Sequence, residues 1–202
     1  MQDTRNRILS AAEALMREAG PSGVTFDAVA ARIGLSKQAV IYWFPNKAQL
    51  MGAVALSCLR AEAGAAIDAV ESAATPAEAR RAVVLALVGF HLADLPRFRL
   101  MYAAPQTGPR PEWAREILDQ VHGITARMYG AIAGALGDTP DARPQAVALH
   151  MAALGHVLLV GLTEAIGDPL RHPPALLAET LGEIAAAGGR GTGDLALPAH
   201  RS

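Results

Sequence analysis

The sequence predicts an all-α fold of about nine helices: a three-helix N-terminal head carrying a helix-turn-helix, and a larger C-terminal helical domain. Three observations point there. Half of the 202 residues are apolar, and alanine and leucine, the strongest helix formers, dominate them. β-branched runs of strand length are nearly absent. Apolar residues recur at helical spacing between clear Pro/Gly breaks.

Taken in order, the first helix is expected from Thr4 to Ala19, with Ile8, Ala12, Leu15 and Ala19 on one face and Gly20-Pro21 ending it. Thr25 can cap a second helix whose stripe is Val29, Ala30 and Ile33. Gly34 follows, where the chain must leave the helix through a left-handed conformation. Leu35 plugs the corner and Ser36 caps a third helix that buries Val40 and Phe44. Pro45 stops it. Asn46 caps a fourth helix running from Lys47 to about Ser72, with Gln49 placed to complete an amide version of the capping box.

Thr75-Pro76 starts a fifth helix carrying Val83, Val84, Leu87, Val88, Phe90 and Leu92. A short helix is expected over Pro96–Ala103, then a Pro/Gly loop from Pro105 to Pro111. The next runs from about Glu112 to Leu136, and an eighth from about Gln145 to Ile166. The last, Pro174 to Ala187, aligns Leu177, Leu181 and Ile184. Gly188 onward is Gly-rich and aperiodic, as a disordered tail would be. The domains expected are 1–47 (the head), 48–187 (effector binding and dimerisation) and 188–202 (the tail).

The stretch Thr25–Lys47 organises the rest. A two-turn helix with Lys37, Gln38 and Tyr42 pointing outward, held across a preceding helix, suits a DNA major groove. Lysine can donate to guanine and glutamine can pair bidentately with adenine. Tyr42 and Trp43 offer apolar contact to a thymine methyl plus a polar tip for phosphate. An ordinary helical hairpin in a core would show the same spacing.

The segment resembles the tetracycline-repressor (TetR) family of bacterial transcription regulators over roughly its first 50 residues. Thr25, Gly34, Leu35, Ser36, Lys37, Tyr42, Trp43, Phe44 and Lys47 carry the likeness. Two positions depart from the common pattern: Ile41 stands where the family usually has Tyr, and Trp43 where it has His or Tyr. The resemblance implies a homodimeric regulator, most simply a repressor released from a palindromic operator by a small ligand. It implies DNA contacts from Thr25, Ser36, Lys37, Gln38, Ala39, Tyr42, Trp43 and Lys47. A ligand pocket would lie among helices 4 to 8, and the fourth helix would carry its signal to the head. Pocket candidates are Phe90, Met101, Tyr102, Trp113, His122, Met128 and His156, the rare bulky or polar residues of aliphatic helices. Each could equally be plain core. A mostly aliphatic lining favours an apolar effector; a lipophilic cation would want a buried acid, and only Glu164 lies within a strongly apolar run.

Charge and composition agree. Residues 1–60 hold seven Lys/Arg against four Asp/Glu, a net +3, whereas 61–202 carry a net −4. The lone Cys58 excludes an intrachain disulfide and reads as a small buried residue, with a reducing, cytoplasmic setting expected. The apolar run Val147–Ile166 is interrupted by His150, His156 and Glu164, so a helix buried on several sides is expected rather than a membrane span. Since the eighth helix is apolar nearly all round, it and the ninth are the expected dimer surface, with Ala148, Ala152 and Gly155 allowing close approach. There is no phosphate loop, Gly-x-Ser-x-Gly elbow or Cys-x-x-Cys, and His150 and His156 diverge around their helix. His91 and Asp94, at i and i+3, read as a local polar pair. No enzyme, cofactor or metal is expected. The alternative is a helical ligand carrier or partner-binding module with a non-functional helix-turn-helix.

Overall fold

The computed structural model describes residues 2–103, 113–167 and 172–188. Among the described residues there are nine α-helices and no strand: α1 (Gln2–Gly23), α2 (Phe26–Ile33), α3 (Lys37–Trp43), α4 (Lys47–Glu71), α5 (Pro76–Leu92), α6 (Leu95–Phe98), α7 (Trp113–Leu136), α8 (Ala142–Ile166) and α9 (Pro174–Ala187). A π-helical turn, Arg99–Ala103, continues α6. The expected loop 105–111 and the tail beyond Gly188 lie outside the described residues. The chain divides into two compact units, residues 1–63 with 90–126, and residues 64–89 with 127–202.

The first unit is built on short helices whose ends are satisfied by their own side chains. Thr25 Oγ1 accepts the N–H of Ala28 at 3.1 Å and Ser36 Oγ that of Ala39 at 3.2 Å. Asn46 Oδ1 accepts the N–H of Gln49 at 2.9 Å and so caps α4. Gly34 is left-handed (φ 68°, ψ 33°), and its N–H returns to the carbonyl of Ala30. The core gathers Ile8, Leu9, Ala12 and Met16 of α1, Val29 and Ala30 of α2, Val40 and Phe44 of α3 and its cap, and Leu50, Val54 and Cys58 of α4. The α1 face differs from the one expected: Ala19 is exposed and Leu15 half-buried, while Leu9 and Met16 turn inward. Gly20 (φ 66°, ψ −168°) is non-helical just before Pro21, so the last turn of α1 follows a new axis.

In the second unit Val70, Val83, Val84, Leu87, Met128, Ile132, Ala146, Ala153 and Val157 are buried. The α8 helix begins three residues earlier than expected, because Pro144 fits a first turn where no N–H is needed. The α9 helix has the expected bounds. Its buried residues are the small Ala178 and Gly182, Leu177 and Leu181 are half-buried, and Ile184 is exposed. A Cβ on Gly182 would sit 3.1 Å from Arg81 Cγ and 3.5 Å from Leu85 Cγ, so the α9 backbone packs on these two α5 side chains. Arg81 bonds both Glu179 and Glu183 there. Nor is α8 buried on several sides: Met151, Leu158, Leu159 and Leu162 are each more than half exposed. Both α4 and the Ala142–Thr163 part of α8 are long and apolar enough to cross a membrane by length and composition alone.

Two measurements check this packing. At Gly34 nothing stands within 4 Å of an added Cβ, so Gly34→Ala tests conformation alone; it should cost about 1–2 kcal/mol in urea unfolding followed by circular dichroism. An unchanged midpoint would mean that the left-handed cap is not needed. Burial, aided by the Glu13 charge, pushes the Cys58 thiol up to about 11. Alkylation by iodoacetamide at pH 8 should therefore be slower by roughly two orders of magnitude in the native protein than in urea. Comparable rates would place Cys58 outside the core.

Candidate nucleic-acid interface

The outer surface of α3 is set by what its inner surface must do. Val40 is fully buried and Phe44, at its C-cap, is 3% exposed, with the Arg5 guanidinium 5.3 Å from the Phe44 ring centre. One helical turn separates the two, so the opposite face is forced outward. Lys37 and Gln38 are exposed there, and Tyr42 is 75% exposed. Ala39 and Ile41 are half-buried. Trp43 departs from the expected surface position: it is half-buried, packs against the core of the first unit, and meets the Tyr42 ring edge-on at 5.7 Å. Only part of its rim is left for a partner.

Basic groups around this helix are held in place by neighbours. Lys37 Nζ lies 2.8 Å from Asp27 Oδ2 on α2. Lys47 Nζ donates to the Pro21 carbonyl at 2.8 Å, and Arg7 to the Ile33 carbonyl, also at 2.8 Å. Arg32 forks onto Glu18 at 2.9 and 2.5 Å, which lowers the Glu18 carboxyl below its ordinary range. Such exposed pairs are weak, and a phosphate can take the place of the carboxylate or carbonyl acceptor. Thr25 and Ser36 accept capping bonds with their oxygens, which leaves each hydroxyl hydrogen to donate outward. The sequence-chosen residues Thr25, Ser36, Lys37, Gln38 and Tyr42 are thus all exposed on α3 or at the N-caps of α2 and α3, with Lys47 exposed at the start of α4.

The ligand candidates do not come together in the same way. Met128 is fully buried in the second unit and His122 is exposed on α7. Burial lowers the pKa of the half-buried His156, whose Nε2 is enclosed without a hydrogen-bond partner. His150, also of α8, has its Nδ1 2.8 Å from the Tyr129 hydroxyl. The side chains of Trp113 and Glu164 lie outside the described residues. Phe90, Met101 and Tyr102 belong to the first unit, and Tyr102 bonds a group the sequence did not single out. Glu62 of α4 is fully buried, Tyr102 donates to its carboxylate (2.8 and 2.7 Å to the two oxygens), and His91 Nε2 lies 3.3 Å from it. The expected His91–Asp94 pair is not formed. His91 turns inward to Glu62, while Asp94 caps α6 by accepting the Arg97 N–H at 3.0 Å. Glu62 could have been noticed as the lone acid within the alanine run 61–66 of a core helix.

A cavity of about 90 Å³ in the first unit is lined by Glu13, Arg17, Ser57, Cys58, Ala61, Asp94 and Arg97, with both charge signs represented. Among the described residues, no three His, Cys, Asp or Glu side chains gather as a metal-ligand set.

Residues 8–54 match the family profile described as bacterial regulatory proteins, tetR family. Among solved structures, a TetR/AcrR transcriptional regulator from Thermobifida fusca is 25% identical, covering 94% of this chain and 100% of that one with a TM-score of 0.63. A protein of unknown function from Rhodococcus superposes with a TM-score of 0.70 at 21% identity, covering 91% and 93%. FadR of Bacillus subtilis, a transcriptional regulator solved with stearoyl-CoA, superposes with a TM-score of 0.66 at 12% identity, covering 90% and 97%. No curated protein sequence matches the chain. The capped helix-turn-helix thus matches the tetR family of bacterial regulatory proteins over residues 8–54, and the chain shares the all-helical fold of these regulators.

Proposed function

We propose that the chain is a sequence-specific, DNA-binding transcriptional regulator, a homodimeric repressor released from a palindromic operator by a small, mostly apolar ligand. The exposed face of α3 carries this reading: Gln38 and Tyr42 point outward from a helix whose other face is locked in the core. Gln38 and Lys37 read base edges with Tyr42, and Ala39 offers a small apolar contact. Thr25, Ser36, Lys47 and the free rim of Trp43 meet phosphate. Residues 1–47 serve as the reading head and 48–187 as the effector and dimerisation domain, acting in the cytoplasm and without catalysis.

A second copy accounts for the α8 surface. At about 100° per residue, Met151, Leu158 and Leu162 fall within a narrow arc, and Ala148, Gly155 and Leu159 lie beside it. Leu176 and Ile184 of α9 are exposed as well. A two-fold pairing covers both helices and supplies the symmetry that a palindrome requires. Ligand then acts by population shift, favouring a dimer whose two α3 helices no longer sit about 34–36 Å apart.

Selection from random DNA followed by fluorescence anisotropy tests the reading. Gln38→Ala should weaken the selected site by about 1–3 kcal/mol and relax one base position. Lys47→Ala should weaken all sequences alike and reduce the salt slope by about one. Equal loss on every sequence for Gln38→Ala would remove it from base readout, and no salt-sensitive binding by the parent chain would end the reading. Leu158→Glu should convert the dimer to monomer in sedimentation velocity; a dimer that persists would place the interface elsewhere.

A further inference from the structure

We infer that the cavity between α1, α4 and α6 is a binding site for a free α-amino acid, held by its ammonium and carboxylate groups. The site is separate from the apolar effector of the reading above and does not depend on it. Its lining belongs to the first unit: Glu13 and Arg17 of α1, Ser57 and Cys58 of α4, and Asp94 and Arg97 of α6 and its cap. The Asp94 side chain is only 8% exposed. Its Oδ1 accepts the Arg97 N–H, but its Oδ2 reaches no hydrogen-bond donor among the described residues. Arg17 Nε and Arg97 Nη1 stand off from it at 3.9 and 3.8 Å. A charge-assisted hydrogen bond is about 2.7–2.9 Å long, so each falls short by about an ångström. A buried carboxylate oxygen left in that state calls for a donor.

The other charged groups of the cavity are open as well. Half-buried Glu13 has neither a hydrogen bond nor an ion pair among the described residues. Arg97 is held by the Phe90 carbonyl and ring, yet its Nε is enclosed without a partner. Arg17 is 62% exposed at the mouth, with only the long approach to Asp94 among the described residues. Burial keeps Cys58 a neutral thiol, so it adds no charge. Charge then decides the occupant. A lone anion would meet two carboxylates and a lone cation two guanidiniums, so like charge cancels the gain in either case. A zwitterion satisfies both signs: its ammonium donates to Asp94 Oδ2 and Glu13, and its carboxylate takes the fork of Arg17. In an α-amino acid one carbon joins the two groups, which suits opposite charges as close as Arg17 Nε and Asp94 Oδ2. The volume of about 90 Å³ admits the main-chain atoms and little more, which sends the amino acid's side chain out past Arg17.

Calorimetric titration of the full chain with glycine, acetate and methylammonium chloride compares the zwitterion with its two halves. Glycine should saturate the site and bind at least about tenfold more tightly than either half, since a hydrogen bond to a charged group discriminates by that much. Asp94→Asn keeps an oxygen to cap α6 while removing the charge, and should weaken glycine about tenfold or more. Should Asp94→Asn fail to fold, Arg17→Gln serves at an exposed position, and should weaken glycine to a similar degree. No saturable glycine binding at tens of millimolar, acetate or methylammonium binding as tightly as glycine, or full glycine affinity in either variant would each overturn the assignment.

Discussion

A seven-residue helix cannot hold itself together in water, and that constraint shapes the first unit. Isolated helices shorter than about 12–15 residues are marginal even with ideal composition. The α3 helix survives because Ser36 satisfies one end and because Val40 and Phe44 are driven into a core shared with α1, α2 and α4. Burying a side chain such as Val40 is worth about 1.5–3 kcal/mol, more than the caps contribute singly. Anchoring α3 by one face leaves the other face rigid. Rigidity there limits the entropy lost when Gln38 and Tyr42 engage a partner.

Polar residues in this molecule divide by what surrounds them. Around α3 the ion pairs are exposed and exchangeable, so Lys37 and Lys47 can trade Asp27 and the Pro21 carbonyl for other acceptors at little cost. At Glu62 the same kind of carboxylate is enclosed, and its neighbours become obligatory. The first arrangement suits recognition of a solvated polyanion. The second ties α4 to the π-helical turn through Tyr102.

Helix α8 shows a third regime. Its inner face carries Ala146, His150, Ala153 and Val157, and its outer face keeps four large apolar side chains in solvent. Scattered exposed leucines are ordinary, but several on one arc of one helix form a patch of the kind that marks an interaction surface. On α9 the small Ala178 and Gly182 are inside and Ile184 outside, and the Arg81 and Leu85 side chains of α5 fill the space beside Gly182.

The sequence alone determined the helices, the turn and the caps, because each is a short-range matter of hydroxyls, glycine and periodic apolar residues. Gly34, Ser36 and Pro45 announce their roles within a few residues of where they act. The likeness in the first 50 residues was legible for the same reason. Tertiary structure alone decided which face of each helix is inside, and hence that Trp43 is half-buried, His122 exposed and Ile184 outside. It also decided that His91 turns to Glu62, 29 positions away, rather than to Asp94 three positions on. Contacts between distant helices depend on how their axes are set, and one-dimensional periodicity carries no information about that.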